Sequence, residues 1–339
     1  MSRQLAPPSI YEAVDVEDPK GAQLALKHQQ YLEAATAENT RRAYRSAIGH
    51  FERWGGHLPA QANMVRAYLL AHAQTLNPRT LSLRLTALRH WHQLQGFPDP
   101  TVSPQVRKTL QGIARVHGKP KRQAKAFRLE HLEKMISLLS MLSTLKASRD
   151  RALLLVGFFG AFRRSELVAV KLEEVRWEPE GVVIALPRSK TDPNGEGRLK
   201  ALPAGENILC PVRALKHWLQ MAKIDSGPVF RRINRWETLL DTPLHPASVT
   251  LILKAVATRA GLNFVPELSS HSLRRSLATS AHRAGASFES IKRQGGWSHD
   301  GTVWEYIEAA QHFEDNAASI LLTKPQEKSL SNRGKLPKP

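Results

Sequence analysis

Apolar residues recur three and four positions apart along most of this chain, and only between Val175 and Leu202 does the period change. That pattern confines the fold to a mainly α protein with a small antiparallel β-ribbon. Ala43, Ala47, Ile48, Phe51 and Trp54 mark a first helix, with Thr36 as its expected N-cap and Gly55-Gly56 as its stop. Further helices are expected over 61–73, over 78–94 with Leu81, Leu85, Leu88 and Trp91 as the buried stripe, and over 104–115. These four read as one helical bundle, residues 24–115, behind a flexible arm, 1–23.

From Arg115 to Lys125 the period lapses, and Gly118 and Pro120 stand among Lys119, Lys121, Arg122 and Lys125. We read 116–127 as a basic linker to a second domain, 128–324, followed by a disordered basic tail, 325–339. Helices are expected there over 131–142, 147–159, 211–223, 246–260, 272–284 and 287–294, with another opening near Arg164. The β-branched run at 181–186, a Pro-Asn-Gly turn and the run from Arg198 give the ribbon. A short apolar cluster, Ile320-Leu321-Leu322, closes the segment 316–322.

Forty-nine Lys plus Arg against thirty Asp plus Glu leave a formal charge of +19, which suits a polyanionic partner. The candidate DNA contacts are Arg41, Arg42 and Arg45 on the first helix, Arg79, Arg84 and Arg89 on the third, and Lys119, Lys121, Arg122 and Lys125 in the linker. A single cysteine, Cys210, excludes an intrachain disulfide and any cysteine-rich zinc site. The first twenty residues lack the basic-then-apolar pattern of a signal peptide, and the apolar run 152–162 is too short to cross a bilayer. A cytoplasmic, nucleoid-associated protein without membrane contact is the expectation.

Cutting DNA without a metal requires a side-chain oxygen as nucleophile, cations for the non-bridging oxygens and a proton donor for the departing oxygen. No carboxylate cluster suited to Mg²⁺ is apparent, whereas four places concentrate the other groups. They are Arg163-Arg164 with Glu166 close behind, Lys190 in Arg188-Ser-Lys-Thr, His271 with Arg274 three residues on, and Trp297 nine residues before Tyr306. Taken singly, each has an ordinary reading as a surface cation, a helix cap or a packed aromatic. Spacing alone does not assemble them.

Their order does carry a resemblance. Gly160 to Leu167, Ser189-Lys190-Thr191, His271 to Arg274 and the Trp297–Tyr306 pair resemble, in sequence, the boxes of the tyrosine recombinase, or phage integrase, family. The Gly295-Gly-Trp297 form of the last box is more similar to Cre recombinase than to the Xer proteins, where Gly-His is usual. The resemblance implies a helical core-binding domain and a mixed, mostly helical catalytic domain clamping double-stranded DNA. It implies Tyr306 as nucleophile, Arg163 and Arg274 as phosphate clamps, Lys190 as general acid, and His271 and Trp297 as assisting groups. Glu166 would orient Arg163 or His271. No metal, cofactor or ATP is implied. Four protomers on two DNA sites with inverted-repeat half-sites, a Holliday junction and accessory DNA-bending proteins belong to the same expectation, as does docking of 316–322 on a neighbour. A type IB topoisomerase-like enzyme and a non-cleaving DNA-binding relative are the alternatives.

Overall fold

The computed structural model describes residues 23–24, 26–28, 30–31, 35–120, 123–187 and 197–308. The arm to residue 22, Lys121, Arg122, the turn bearing Lys190, the segment 316–322 and the tail lie outside the described residues. The chain divides into two compact units, Met1–Lys121 and Arg122–Pro339. The described residues are mostly helical, with two small antiparallel sheets.

The first unit holds α1 (Glu38–Arg53), α2 (Ala62–Ala71), α3 (Pro78–Leu94) and α4 (Pro104–His117). Thr36 does not cap α1. Ala37 occupies the cap position without a side-chain bond, and Glu38 in the first turn complements the helix dipole and pairs with Arg42 at 3.1 Å. α3 begins as its sequence dictates: the Asn77 side chain accepts from the Arg79 N–H at 2.9 Å, and Pro78 sits where no N–H is needed. Leu81, Leu85 and Leu88 are buried as expected, but the stripe continues through His92 and not Trp91. His92 lies one turn past Leu88 and both ring nitrogens meet backbone: Nδ1 pairs with the Leu88 carbonyl at 2.7 Å, and Nε2 with the Ala60 N–H at 2.9 Å. Trp91 stacks on Phe97 instead. α4 continues two residues past Arg115, to His117.

The second unit contains α5 (Leu129–Ser140), α6 (Leu145–Phe159), α7 (Arg164–Ala169), β1 (Val175–Glu178), β2 (Gly181–Leu186), β3 (Arg198–Pro203), α8 (Pro211–Ala222), β4 (Arg231–Ile233), β5 (Leu239–Pro243), α9 (Pro246–Arg259), α10 (Ser270–Arg283), α11 (Phe288–Gly295) and α12 (Asp300–Glu308). The expected ribbon is β2–β3, in the register Val182↔Leu202 and Ile184↔Lys200, and β1 adds a third antiparallel strand. β4 and β5 form a second sheet that the sequence did not announce, because three and five residues are too few to show alternation. α6 is buried nearly all round, its Arg149 and Asp150 paired with each other, and its apolar second half runs through the main core. A separate cluster of Ala161, Ala278, Ile291, Trp297, Val303 and Ile307, with Tyr306 against it, joins the turn after α6 to α10, α11 and α12. Among the described residues no helix is long and apolar enough to cross a membrane.

Candidate active site

Arg163 is placed by the end of α6. Gly160 closes that helix, Ala161 takes a left-handed conformation (φ 46°), and Arg163 becomes the N-cap residue of α7. Glu166, three residues on and buried, then reaches back with both oxygens: Oε2 accepts the Arg163 backbone N–H at 2.9 Å and Oε1 accepts the guanidinium at 2.5 Å. One carboxylate thus fixes the backbone and the side chain of the same arginine. Arg164 points outward and is exposed.

Arg274 comes from α10, which Ser269 caps by accepting the His271 N–H at 3.2 Å. The helix starts two residues earlier than expected, so His271 and Arg274 lie in its first turns, with His271 exposed and Arg274 buried. The Arg274 guanidinium donates to the Ala161 carbonyl and, at 3.1 Å, to the Gly295 carbonyl, and it lies 4.9 Å from the Trp297 ring centroid. Burial, then the charge of Arg163, pulls its pKa down to about 10, against the opposing pull of Glu166. An entering phosphate would relieve that crowding of positive charge.

Trp297 depends on the two glycines before it. A Cβ on Gly295 would stand 1.8 Å from the indole, and Gly296 adopts φ 65° as the left-handed C-cap of α11. We expect Gly295→Ala to displace the indole and to lower Tm by about 2–12 °C, the range that about 1–3 kcal/mol of overpacking gives in a domain of this size. Gly49→Ala in α1 is the control, since its Cβ meets nothing within 4 Å and it should hold or raise Tm. Thermal unfolding of both variants settles the comparison, and equal melting of G295A and the parent would reject it.

Tyr306, on α12, is half-buried and meets Trp297 edge to face at 5.7 Å between centroids. Burial raises its pKa, while Arg274 and Arg275 draw it the other way. Arg275, next to Arg274 in the chain, is also buried, with its guanidinium 5.2 Å from the Tyr306 ring centroid. Gln123 accepts from Arg275 at 2.5 Å and donates to Glu305, so the start of this unit is tied to the turn that carries Tyr306. Neither Arg275 nor Gln123 has a sequence signal that would have marked it.

Arg163, His271, Arg274, Trp297 and Tyr306 therefore line one cavity of about 190 Å³, together with Ser298, His299 and Thr302. Lys190 lies outside the described residues. Of the candidate DNA contacts, Arg42 and Arg89 are held in ion pairs with Glu38 and Asp99, and Arg79 donates to the Lys119 carbonyl. Arg41 is half-buried, while Arg45 and Lys119 are exposed. Arg84 turns inward to donate to the Tyr68 hydroxyl at 2.7 Å, and Lys125 pairs with Glu267 at 4.0 Å. Among the described residues no group of three or more His, Cys, Asp or Glu side chains could hold a metal ion.

Residues 127–312 match the phage integrase family over more than half of the chain. The chain belongs to that family, the tyrosine recombinases. An integrase/recombinase described as a xerD homolog from Selenomonas ruminantium is 36% identical over 310 residues, covering 89% of this chain and 90% of its own. The tyrosine recombinase XerA of Pyrococcus horikoshii is 23% identical over 81% of this chain and 85% of its own. The folds of two DNA-bound recombinases superpose: XerH on palindromic difH (TM-score 0.56, 18% identity, 78% of this chain and 73% of that one) and a λ integrase dimer on a COC′ core site (TM-score 0.57, 14% identity, 83% and 75%). Nothing among these relatives singles out Cre, so the Gly-Gly-Trp likeness stays local. Family membership supports a tyrosine-recombinase-type activity, site-specific DNA strand exchange.

Proposed function

We propose that this recombinase cuts and rejoins DNA through Tyr306. The phenolic oxygen attacks the scissile phosphorus, a 3′-phosphotyrosine forms, and the 5′ oxygen leaves as a hydroxyl. The single observation that carries this reading is the convergence of Arg163, His271, Arg274, Trp297 and Tyr306, from three separate stretches of sequence, on one cavity. Arg163 and Arg274 neutralise the non-bridging oxygens as charge develops. Lys190 protonates the leaving oxygen, His271 takes part in the proton transfer at the nucleophile, and the Trp297 indole donates to a phosphate oxygen. Glu166 holds Arg163 and does not react.

The ester keeps the energy of the broken bond, so a foreign 5′ hydroxyl can reverse the attack and complete the exchange. The palindromic difH site of XerH and the λ integrase dimer on DNA favour inverted-repeat half-sites for this chain too. Four protomers on two such sites, passing through a Holliday junction, extend the same reading, with accessory DNA-bending proteins as partners. The segment 316–322 would dock on a neighbouring protomer.

Nicked suicide duplexes made from the DNA that the protein retains in its host provide the test. We expect an SDS-resistant adduct whose phosphotyrosine maps to Tyr306. Lys190→Ala should abolish it on ordinary DNA and spare it on a bridging 5′-phosphorothiolate, whose leaving group needs no proton. An adduct on another residue, or equal K190A defects on both substrates, would overturn the corresponding assignment. Relaxation of a supercoiled plasmid lacking the site would favour the topoisomerase reading, and binding without any adduct the non-cleaving one.

A further inference from the structure

The last carbonyls of a helix have no partner within it, and at the end of α11 three successive ones are met by three different cations. Lys200 Nζ donates to the Gln294 carbonyl, Arg274 to that of Gly295 at 3.1 Å, and Arg198 to that of Gly296 at 2.9 Å. The Gln294 side chain returns the connection, donating to the Phe159 carbonyl at 2.7 Å and to the Ala201 carbonyl at 3.0 Å. The end of α11 is thus fastened at once to β3, to the end of α6 and to the arginine of the cavity.

Lys200 is the unexpected member. It stands on β3 opposite Ile184 and is 5% exposed, a strand position where an apolar side chain would cost less than a buried ammonium. The charged groups around it are Arg274 of α10, Glu166 of α7, Arg163 and Arg198. No part of the reaction described above uses it.

We propose that Lys200 is a positioning residue: with Arg198 and Arg274 it grips the end of α11, and so sets Trp297 and the β2–β3 hairpin in place relative to the two cavity arginines. The inference rests on the strand-cleavage reading for its catalytic consequence, though not for the grip itself. Burial and the surrounding cations bring the Lys200 pKa down to about 7, so the grip is charged below that pH and loses its charge above it.

Two measurements test it. In DNA-free protein, the amides of Gly296 and Trp297, both bonded to the Lys292 carbonyl, should exchange roughly 10- to 100-fold faster in Lys200→Met, the effect of losing a hydrogen bond from a charged donor. Lys200→Arg should leave them near the parent rate. This arm holds whether or not the protein cleaves DNA. In the second arm, DNA binding by K200M stays unchanged, while adduct formation falls about 10- to 100-fold on ordinary and 5′-phosphorothiolate DNA alike. K200R restores most of it. At subsaturating DNA the ratio of K200R to parent should rise between about pH 6 and about pH 9, because arginine keeps its charge where Lys200 loses it. Unchanged exchange in K200M would overturn the grip. A K200M defect erased by the phosphorothiolate would make Lys200 the proton donor instead. Equal loss in K200M and K200R with a flat pH ratio would reduce it to ordinary core. A parent protein forming no adduct would count against the cleavage reading alone, with the exchange result still deciding the grip.

Discussion

Tyr306→Phe should bind DNA as the parent does and form no covalent adduct, a loss of roughly 10⁴-fold or more, as expected when a nucleophilic oxygen is removed. The change deletes one oxygen and leaves the ring. Its edge-to-face contact with Trp297 and the guanidinium of Arg275 beside it should persist, so Tm should hold. That separation makes the experiment informative: a loss of adduct with intact binding and melting can only come from the hydroxyl. An undiminished SDS-resistant band from Y306F would place the nucleophile elsewhere. Because burial raises the phenol's pKa, the hydroxyl enters the reaction protonated and must pass its proton on as it attacks. In the proposed reaction His271, which lines the same cavity, receives it.

Arg163 and Arg164 are adjacent in sequence and opposite in consequence. Arg163→Ala should lower single-turnover cleavage at saturating DNA by about 10²- to 10³-fold, the loss of about 3–4 kcal/mol typical of a removed oxyanion donor. Arg164→Ala should stay within about twofold, as exposed substitutions commonly do. The structural reason is the Glu166 carboxylate, which holds Arg163 by backbone and side chain together while Arg164 faces outward. Glu166→Gln keeps the backbone bond and weakens the charged one, so its defect should fall between the two. A more damaging R164A would reverse this assignment. The parallel pair on α10 should behave differently. Arg275 is buried beside Tyr306 and unites it with Gln123, so R275A should not be silent as a variable neighbour would be.

Much of this fold was legible in the chain. Leu81, Leu85 and Leu88 announce α3, and Asn77-Pro78 announces its start, because capping and periodicity are local physics. The order of the arginine boxes, with Trp297 nine residues before Tyr306, pointed to the family that the comparisons establish. What stayed hidden was decided by tertiary surroundings. His92 reads as a polar residue on a surface face, yet two backbone groups made it the better core residue than Trp91. Arg275 follows Arg274 by a single helical step, which should turn it away; α10 is enclosed on nearly every side, so both arginines are buried. Lys200 carries no local signal, because its partner, the Gln294 carbonyl at the end of α11, lies 94 positions away.

Ala161 adopts a backbone conformation that costs an L-residue about 1–2 kcal/mol, and its carbonyl accepts a bond from Arg274. The turn that bends the chain toward Arg163 is therefore held partly by the other arginine of the cavity. Deleting Arg274 removes a cation and also releases the bend that aims its partner. The two arginines are thus a thermodynamically coupled pair, and the penalties measured for losing each will not sum to the penalty for losing both. A glycine at 161 would loosen that coupling, since the bend would then persist without the arginine to hold it.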